Sequence, residues 1–543
     1  MRVETTLVFL SLVAVALEAS TRSEREQMRI AEQVLTGAVG TRSYGHQLQI
    51  IESRDMFTVI GNAEKGFAVI ANDDSFPAVI GFSTKPFAIL PPAVKWYLTA
   101  VELSLKGLAD EGSSYVPIPP STEFPATIGP LLATTWDQGS PFNRFCPGGN
   151  GGVNRLYPTG CVATALSQIM NYHQYPEAGI GEHQYSFQPA AGDGRILSAN
   201  FGKTRYDWAN MLDNYSKVSY SDEQADAVAT LMLHCGVAVD MNYSANGSGA
   251  YSQEACLGVK KYFGYNKNAR IYTRDFYPVD QWMRMVYTEL HAQRPIYYSG
   301  VSERQGGHAF VIDGYDVNGL VHVNWGWGGS ADGYYDIALL NPSSYQFSLG
   351  QDMILGMCDS TVNIPYESQI VAPQMTFNFY GVSSKRVSIN GYIYNAGAEK
   401  FVGRIACILE NADTTIVLKS QEDLTLQPIM GGYYRYTSLS LNSNNLSSIP
   451  DGTYNLFVGS LSSQDMRWQM VRPYENEIGC YAIIKSSNDV VWTEITSSVQ
   501  INVKVPKQDV PLFYDLQGRK IGGAARGTVI MKQGGIVKKV VLH

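Results

Sequence analysis

A cysteine directly behind a glycine opens the run "GCVATALSQIMNYHQYP", from Gly160 to Pro176. Val162, Leu166, Ile169, Met170 and His173 repeat at the spacing of one helical face, and Pro176 lies just beyond the end. Cys161 therefore falls at the first turn of a helix. Unpaired N–H groups and the positive end of the dipole stabilise an anion there. A thiolate is such an anion, so the position lowers a cysteine pKa and raises its reactivity. Gly160 allows close approach and leaves room for a substrate. The competing reading is a buried structural cysteine, and the helix pattern alone does not separate the two.

A nucleophilic thiolate wants a histidine partner, and the chain has eight histidines. His173 is on the same helix, about 18 Å away, and cannot serve. His46 lies far upstream and His543 is the last residue. His234 and His291 sit within helix-like apolar patterns and are expected to be packed. His308, in "GGHAFVIDGYD", follows two glycines and enters an apolar strand, so it is accessible. His322, in "VHVNWGWGG", is its rival and shares strand parity with Asn324. Asn324 could orient the imidazole as the third member of a Cys-His-Asn set. The two tryptophans of "NWGWGG" could shield the pair from water. The alternative for them is a core aromatic pair at a strand end. An oxyanion would need donors: the Cys161 N–H is one, and the Gln138 amide in "WDQGSPFN" could be another.

Helices and strands must hold these groups in place. Before them, residues 21–125 read as a compact α+β module. "REQMRIAEQVLTG" and "PAVKWYLTAVELSL" are helical, and "FTVIGNAEKGFAVIANDD" is two strands around Glu64-Lys65-Gly66. "SSYVPIPPSTEFPATIGP" reads as an exposed linker open to proteolysis. Residues 126–364 contain every motif above and mix helices with strands. "YSDEQADAVATLMLHCGVAVDM" begins as a helix with an acidic first turn, and "HAFVIDGYD" and "GLVHVNWGW" alternate as strands. Residues 365–505 are short alternating runs between Gly/Asn/Asp turns, the pattern of a β-sandwich. Residues 506–543 are further short strands.

Composition narrows the function. Charged residues are 17% of the chain and the net charge is −8, with no dense basic run, which argues against a nucleic-acid partner. Residues 1–20 read as an export signal: Arg2, then an apolar run from Leu7 to Leu17, then small residues. That run is too short to span a bilayer, so no stable membrane span is expected. The seven cysteines are scattered and odd in number, without disulfide-framework or metal-pair spacing. Neither a metal nor a cofactor is implied.

Together these segments resemble the streptopain/interpain family of papain-like cysteine peptidases. "WDQGSPFN", "GCVATALSQIMNYHQYP", "VDMNYSANGSG", "GVSERQGGHAFVIDGYD" and "VHVNWGWGGSADGYYD" occur in family order over residues 126–364. The 147-residue separation of Cys161 and His308 also suits papain-like enzymes. The resemblance implies Cys161 as nucleophile, His308 as base, Asn324 and Trp325 as supports of the histidine, and Gln138 as oxyanion donor. It places Ser248 and Gly249 in a loop beside the substrate cleft, with Ser299 and Gly307 as further substrate contacts. Ser299 stands where the family has Gln, and one residue is inserted before His308. "GFAVIANDDSFPAVIGFS" is similar to the family's inhibitory propart, and "YDLQGRK" with "GTVIMKQGGIVKKVV" to terminal sorting modules of secreted Bacteroidetes proteins.

The expectation is an α+β papain-like catalytic domain with an N-terminal α+β propart and a C-terminal β-sandwich-type domain. It would be a secreted or cell-surface cysteine endopeptidase made as a zymogen, acting on proteins or peptides and inhibited by its own propart. The alternatives are a Cys-His amidase, deamidase or transglutaminase, and a non-catalytic surface adhesion protein. Residues 370–543 are expected to be dispensable for hydrolysis of small peptides.

Overall fold

The computed structural model describes residues 21–37, 48–149, 156–188, 194–216, 218–302, 306–340, 350–379, 387–428, 434–441, 448–465, 467–475, 477–486 and 489–494, and four strands beyond 511. The export signal expected at 1–20, His46 and His543 lie outside the described residues. The chain divides into compact units at Thr493/Glu494.

The first module has helix α1 (Glu24–Thr36), strands β1 (Gln49–Ser53), β2 (Phe57–Asn62), β3 (Gly66–Ala71) and β4 (Val79–Ser83), and helix α2 (Pro92–Asp110). α1 is capped by the Ser23 hydroxyl and ends at Gly37 in the left-handed region. The next region has α3 (Cys161–His173), the hairpin β5 (His183–Phe187) and β6 (Arg195–Ala199), α4 (Asp222–Ala238), α5 (Ser252–Phe263), β7 (Arg270–Thr273) and α6 (Val279–His291). It continues with β8 (Ile296–Ser302), β9 (Gly306–Tyr315), β10 (Val321–Asn324), β11 (Gly333–Tyr335) and β12 (Asp352–Leu355). The acidic start of α4 carries a capping box between Ser221 and Gln224, as its sequence suggests.

These strands form one ten-stranded sheet in the order β1-β2-β3-β4-β11-β10-β9-β8-β12-β7. The first module thus adds four strands to the edge of the second, through Phe82 opposite Tyr334 and Gly81 opposite Tyr335. α2 covers the joint, with Trp96, Tyr97 and Val101 in the same core as Tyr298, Phe310, Trp325 and Tyr335. On the other side, α3, α4 and α5 share a second core with Trp136, Tyr297, Ala309 and Val311. The start of α3 meets β9 between these two cores.

The stretch expected to be an exposed linker is pinned to the body. The Tyr115 hydroxyl donates to Asp336 Oδ1 (3.0 Å), the Tyr287 hydroxyl donates to the Ile118 carbonyl, and Phe124 packs on Tyr287 at 5.9 Å. Most of it is nonetheless exposed, at Ser114, Val116, Pro119, Ser121–Glu123, Pro125–Thr127, Gly129 and Pro130.

Among the described residues beyond Glu367 the regular elements are strands: β13 (Ile370–Val371), β14 (Met375–Phe379), β15 (Val387–Asn395), β16 (Phe401–Glu410), β17 (Thr415–Leu426), β18 (Tyr434–Leu441), β19 (Gly452–Ser462), β20 (Gln469–Met470), β21 (Cys480–Ser486) and β22 (Asp489–Glu494). One sheet holds β13, β14, β15 and β18, another β16, β17, β19, β20, β21 and β22. They share a single core that includes Ile389, Ile393 and Leu439 from one and Ile405, Leu456 and Ile483 from the other. This region rests on the preceding α+β region through a buried ion pair, Arg274 Nη1 to Glu475 Oε2 at 2.8 Å, and the stacked rings of Phe276 and Tyr474. The second unit contains β23 (Leu512–Tyr514), β24 (Lys520–Ile521), β25 (Gly527–Gln533) and β26 (Ile536–Leu542) in one antiparallel sheet. Helices and strands together make the protein α+β.

Candidate active site

The Gly160 backbone has φ of +91°, in the left-handed region. A Cβ there would meet Met241 Sδ at 2.7 Å and the Ser248 carbonyl oxygen at 2.9 Å. Glycine is therefore required, both by conformation and by space. No side chain caps α3, so its first N–H groups are left for whatever sits at Cys161. Cys161 is half-buried, while the other six cysteines are buried and free.

His308 lies near the start of β9, opposite Gly300 of β8. Burial alone would push the Cys161 thiol up. The charge and hydrogen bond of His308, with the backbone of Ala309 and Val162, outweigh that and hold it below its ordinary value. The contrast with Cys146, Cys235 and Cys407 is informative. Burial pushes Cys146 and Cys235 up to about 12 and Cys407 higher still, with no imidazole to counter it.

The far side of the imidazole is held by the backbone of Trp325. Its carbonyl oxygen lies 3.1 Å from His308 Nε2. The Trp327 indole N–H points at the same nitrogen from 3.3 Å, and its ring stacks on the imidazole at 6.0 Å. The two contacts need opposite states of Nε2. A protonated nitrogen donates to the carbonyl, and a bare one accepts from the indole. Nδ1 is then the nitrogen left for the thiol.

Asn324 was expected to orient this ring directly, and the structure gives its side chain other partners. Its Nδ2 donates to the Thr134 carbonyl (2.8 Å). Its Oδ1 accepts from Gln168 Nε2 (3.0 Å) and the Gly326 N–H (3.1 Å). Asn324 thus fastens the turn that carries the Trp325 carbonyl, and the carbonyl takes the role expected of the amide. Trp325 itself is buried, with Phe310 at 4.8 Å and Tyr335 at 5.1 Å.

The rival His322 is paired elsewhere. Its Nδ1 lies 2.6 Å from Asp313 Oδ1, and the other Asp313 oxygen accepts the Leu132 N–H. His234 is packed as expected, with the Tyr206 hydroxyl at 2.9 Å. His291 is not packed. It is exposed at the last residue of α6, edge-on to Phe124.

Gln138 is buried, and its carbonyl accepts the Thr159 N–H (3.0 Å), which fixes it beside the Gly160–Cys161 step. Among the described residues none holds its side-chain amide. Ser248 is turned inward, donating to the Pro158 carbonyl at 2.7 Å, so it braces the segment before the nucleophile. Gly249 is exposed and pairs with Asn242. The Ser299 hydroxyl is buried between Ser252 (3.0 Å) and Asp352 (2.8 Å), which leaves no free hydroxyl facing solvent. Gly307 is exposed one residue before the histidine.

Residues 136–335, which hold this whole arrangement, match the peptidase C10 family. The chain is 32% identical to streptopain of Streptococcus pyogenes over 299 residues, 51% of this chain and 73% of that protein. The chain belongs to the peptidase C10 family. Residues 136–335 are accordingly a cysteine-peptidase domain. The chain is also 33% identical over 381 residues to the thiol protease/hemagglutinin PrtT of Porphyromonas gingivalis. That alignment covers 64% of this chain and 43% of PrtT, so the chain spans less than half of that relative. A fragment of Prevotella intermedia prointerpain A, crystallised with a cysteine-to-alanine substitution, is similar in structure, with a TM-score of 0.53 and 43% identity. The match covers 57% of this chain and 98% of the fragment.

Two contributors have only weak sequence signals. Gln168, a polar residue on the buried side of α3, links Thr134, Trp136 and Asn324. Asp332 lies in a turn whose conformation no periodicity reports, whereas Trp327, the second tryptophan of "NWGWGG", stands against the imidazole as that motif suggests.

Proposed function

We propose that the chain is a secreted cysteine endopeptidase made as a zymogen, cleaving peptide bonds of proteins through Cys161 and His308. The observation that carries this is the thiol at the uncapped start of α3, lowered by an imidazole whose other nitrogen meets a fixed carbonyl. Cys161 as thiolate attacks the scissile carbonyl carbon, and the oxyanion is held by the Cys161 N–H and the Gln138 amide. His308 gives its proton to the leaving amine. It then takes one from water, which attacks the acyl-enzyme and frees Cys161. Trp325 and Asn324 keep the ring in place. Ser248, Gly249, Ser299 and Gly307 flank the cleft, Gly249 and Gly307 offering backbone and Ser248 and Ser299 bracing its walls.

Residues 21–125 are the propart and inhibitor of a papain-like domain at 126–364. The reading is supported by the shared sheet and by Trp96 against Gly300, the residue opposite His308. The prointerpain fragment is likewise named as a proform. Residues 365–505 make a β-sandwich-type domain, in keeping with two sheets around one core, and 506–543 a sorting module. An export signal at 1–20 would bring the enzyme to the cell surface or beyond. No helix among the described residues is long and apolar enough to cross a membrane. The test is to incubate the purified precursor with and without reductant, then sequence new N-termini and assay casein. Reductant-dependent processing and casein cleavage, both lost in Cys161→Ala, are expected. A precursor fully active without any cut would end the zymogen reading.

A further inference from the structure

The group that holds the catalytic imidazole is a main-chain carbonyl, so no side-chain substitution at Trp325 removes it. What fixes that carbonyl is then a separate matter. It belongs to the turn joining β10 to β11. Gly326, Gly328, Gly329 and Ala331 of this turn all have positive φ, +72°, +65°, +80° and +64°. Such a turn has no ladder to fix it and includes a non-glycine residue in the left-handed region. Its internal bonds, Ser330 N–H to the Trp327 carbonyl and Asp332 N–H to the Gly329 carbonyl, do not reach Trp325. Two side chains do reach its ends. Asn324 accepts the Gly326 N–H, and Asp332 Oδ1 accepts the Trp325 N–H at 2.9 Å.

We infer that Asp332 is a positioning residue for the proposed peptidase reaction, anchoring Trp325 by its N–H so that the Trp325 carbonyl meets His308 Nε2. The Trp325 backbone is stretched between the two: N–H to Asp332, C=O to the imidazole. Asp332 is buried. Its carboxyl is pushed up to about 7 by burial, against the Trp325 N–H and His322 on β10, which lower it. Asp313 on β9 raises it further and Lys85 lowers it. A carboxyl keeps a carbonyl-type acceptor oxygen whether or not it is protonated, so the anchor persists through its own titration. An amide oxygen at the same place should do the same work, and a methyl group should not.

The inference rests on the functional reading above, and the test separates them. Cys161 is the one cysteine that is not buried, so iodoacetamide applied to the folded full chain reports its thiol without any turnover. The alkylation rate is measured against pH for wild type, Asp332→Asn and Asp332→Ala, and peptide hydrolysis is measured on the processed enzyme per titrated thiol. Asp332→Ala should move the midpoint of the alkylation profile up by about one pH unit and lower kcat/KM on the order of tenfold or more, since small misplacement of a catalytic group is costly. Asp332→Asn should stay within about threefold of wild type. Asp332→Ser, whose shorter side chain cannot reach Trp325, replaces the alanine variant if that does not fold. A folded Ala or Ser variant with the wild-type profile overturns the inference. So does an Asn variant that falls as far as alanine. If wild type hydrolyses no peptide even after processing, the peptidase reading fails on its own, and Asp332 is still judged by alkylation.

Discussion

Replacing His308 by alanine tests the electrostatics of the site apart from turnover. In the intact protein the imidazole holds the thiol low against burial. Without it burial is opposed only by the backbone of Ala309 and Val162, and the thiol moves back up toward its ordinary value. At pH 7 an ordinary thiol is only about 3% thiolate, and the imidazole holds a larger share of Cys161 ionised than that. Its removal therefore lowers the share of the reactive species. Part is returned, because a more basic thiolate is intrinsically more nucleophilic. The net expectation is slower alkylation by iodoacetamide at pH 7, with the midpoint of the rate profile moved to higher pH than in wild type. Peptide hydrolysis should fall much further, on the order of a thousandfold, since the general acid is lost too. His322→Ala is the control. It leaves Asp313 buried without its partner, so it should destabilise by about 3 kcal/mol while activity per folded molecule stays within a few fold. A His308→Ala protein with the wild-type alkylation profile would refute the pairing. Reversed ranking of the two histidines in hydrolysis would refute the choice of base.

Two further predictions concern the regions around the catalytic domain. Asp336 is buried under Tyr97 and Tyr115, and burial pushes its carboxyl up to about 7. Loss of α2 would expose it and return it toward about 4, so the bound form holds a proton that the free form gives up. Inhibition in trans by residues 21–125 should therefore weaken as pH rises from about 5 to 7, by up to tens of fold in Ki, and a flat or opposite trend would contradict the assignment. Glu475→Ala should take the carboxylate from the buried Arg274, which keeps the Tyr277 carbonyl, lowering stability in urea by about 3 kcal/mol with kcat/KM unchanged, whereas a chain ending at Glu367 rehydrates Arg274 and should still cleave short peptides. Loss of activity on short peptides in that soluble, processed chain would mean that the β-rich region completes the cleft.

The chemistry was legible where it rests on local pattern. Gly160, the helix behind Cys161 and the strand behind His308 follow from spacing and residue type within a few positions. The change of texture near residue 370 likewise announced strands, because period-two alternation is a local property. What could not be read was long-range pairing. Nothing in "AVIGFS" says that Phe82 lies opposite Tyr334, or that the Ser83 hydroxyl reaches the Asp332 carbonyl. Asn324 shows an intermediate case. Its presence at the site was readable, but whether an amide or a neighbouring carbonyl touches the ring depends on a turn of left-handed residues. The linker near Tyr115 is largely exposed, as its proline-rich composition suggests, but its three ties to distant partners could not be read from that composition.

The most direct measurement is the stoichiometry of inactivation. The processed enzyme is treated with increasing iodoacetamide at pH 6, where an ordinary thiol is almost wholly protonated. Casein hydrolysis and the site of modification are then read from the same samples, the latter by peptide mapping. The account predicts that hydrolysis falls in proportion to label and reaches zero at one equivalent, with the label on Cys161 and the six buried cysteines untouched. Full labelling of Cys161 with hydrolysis retained, or inactivation that follows label on another cysteine, would contradict it.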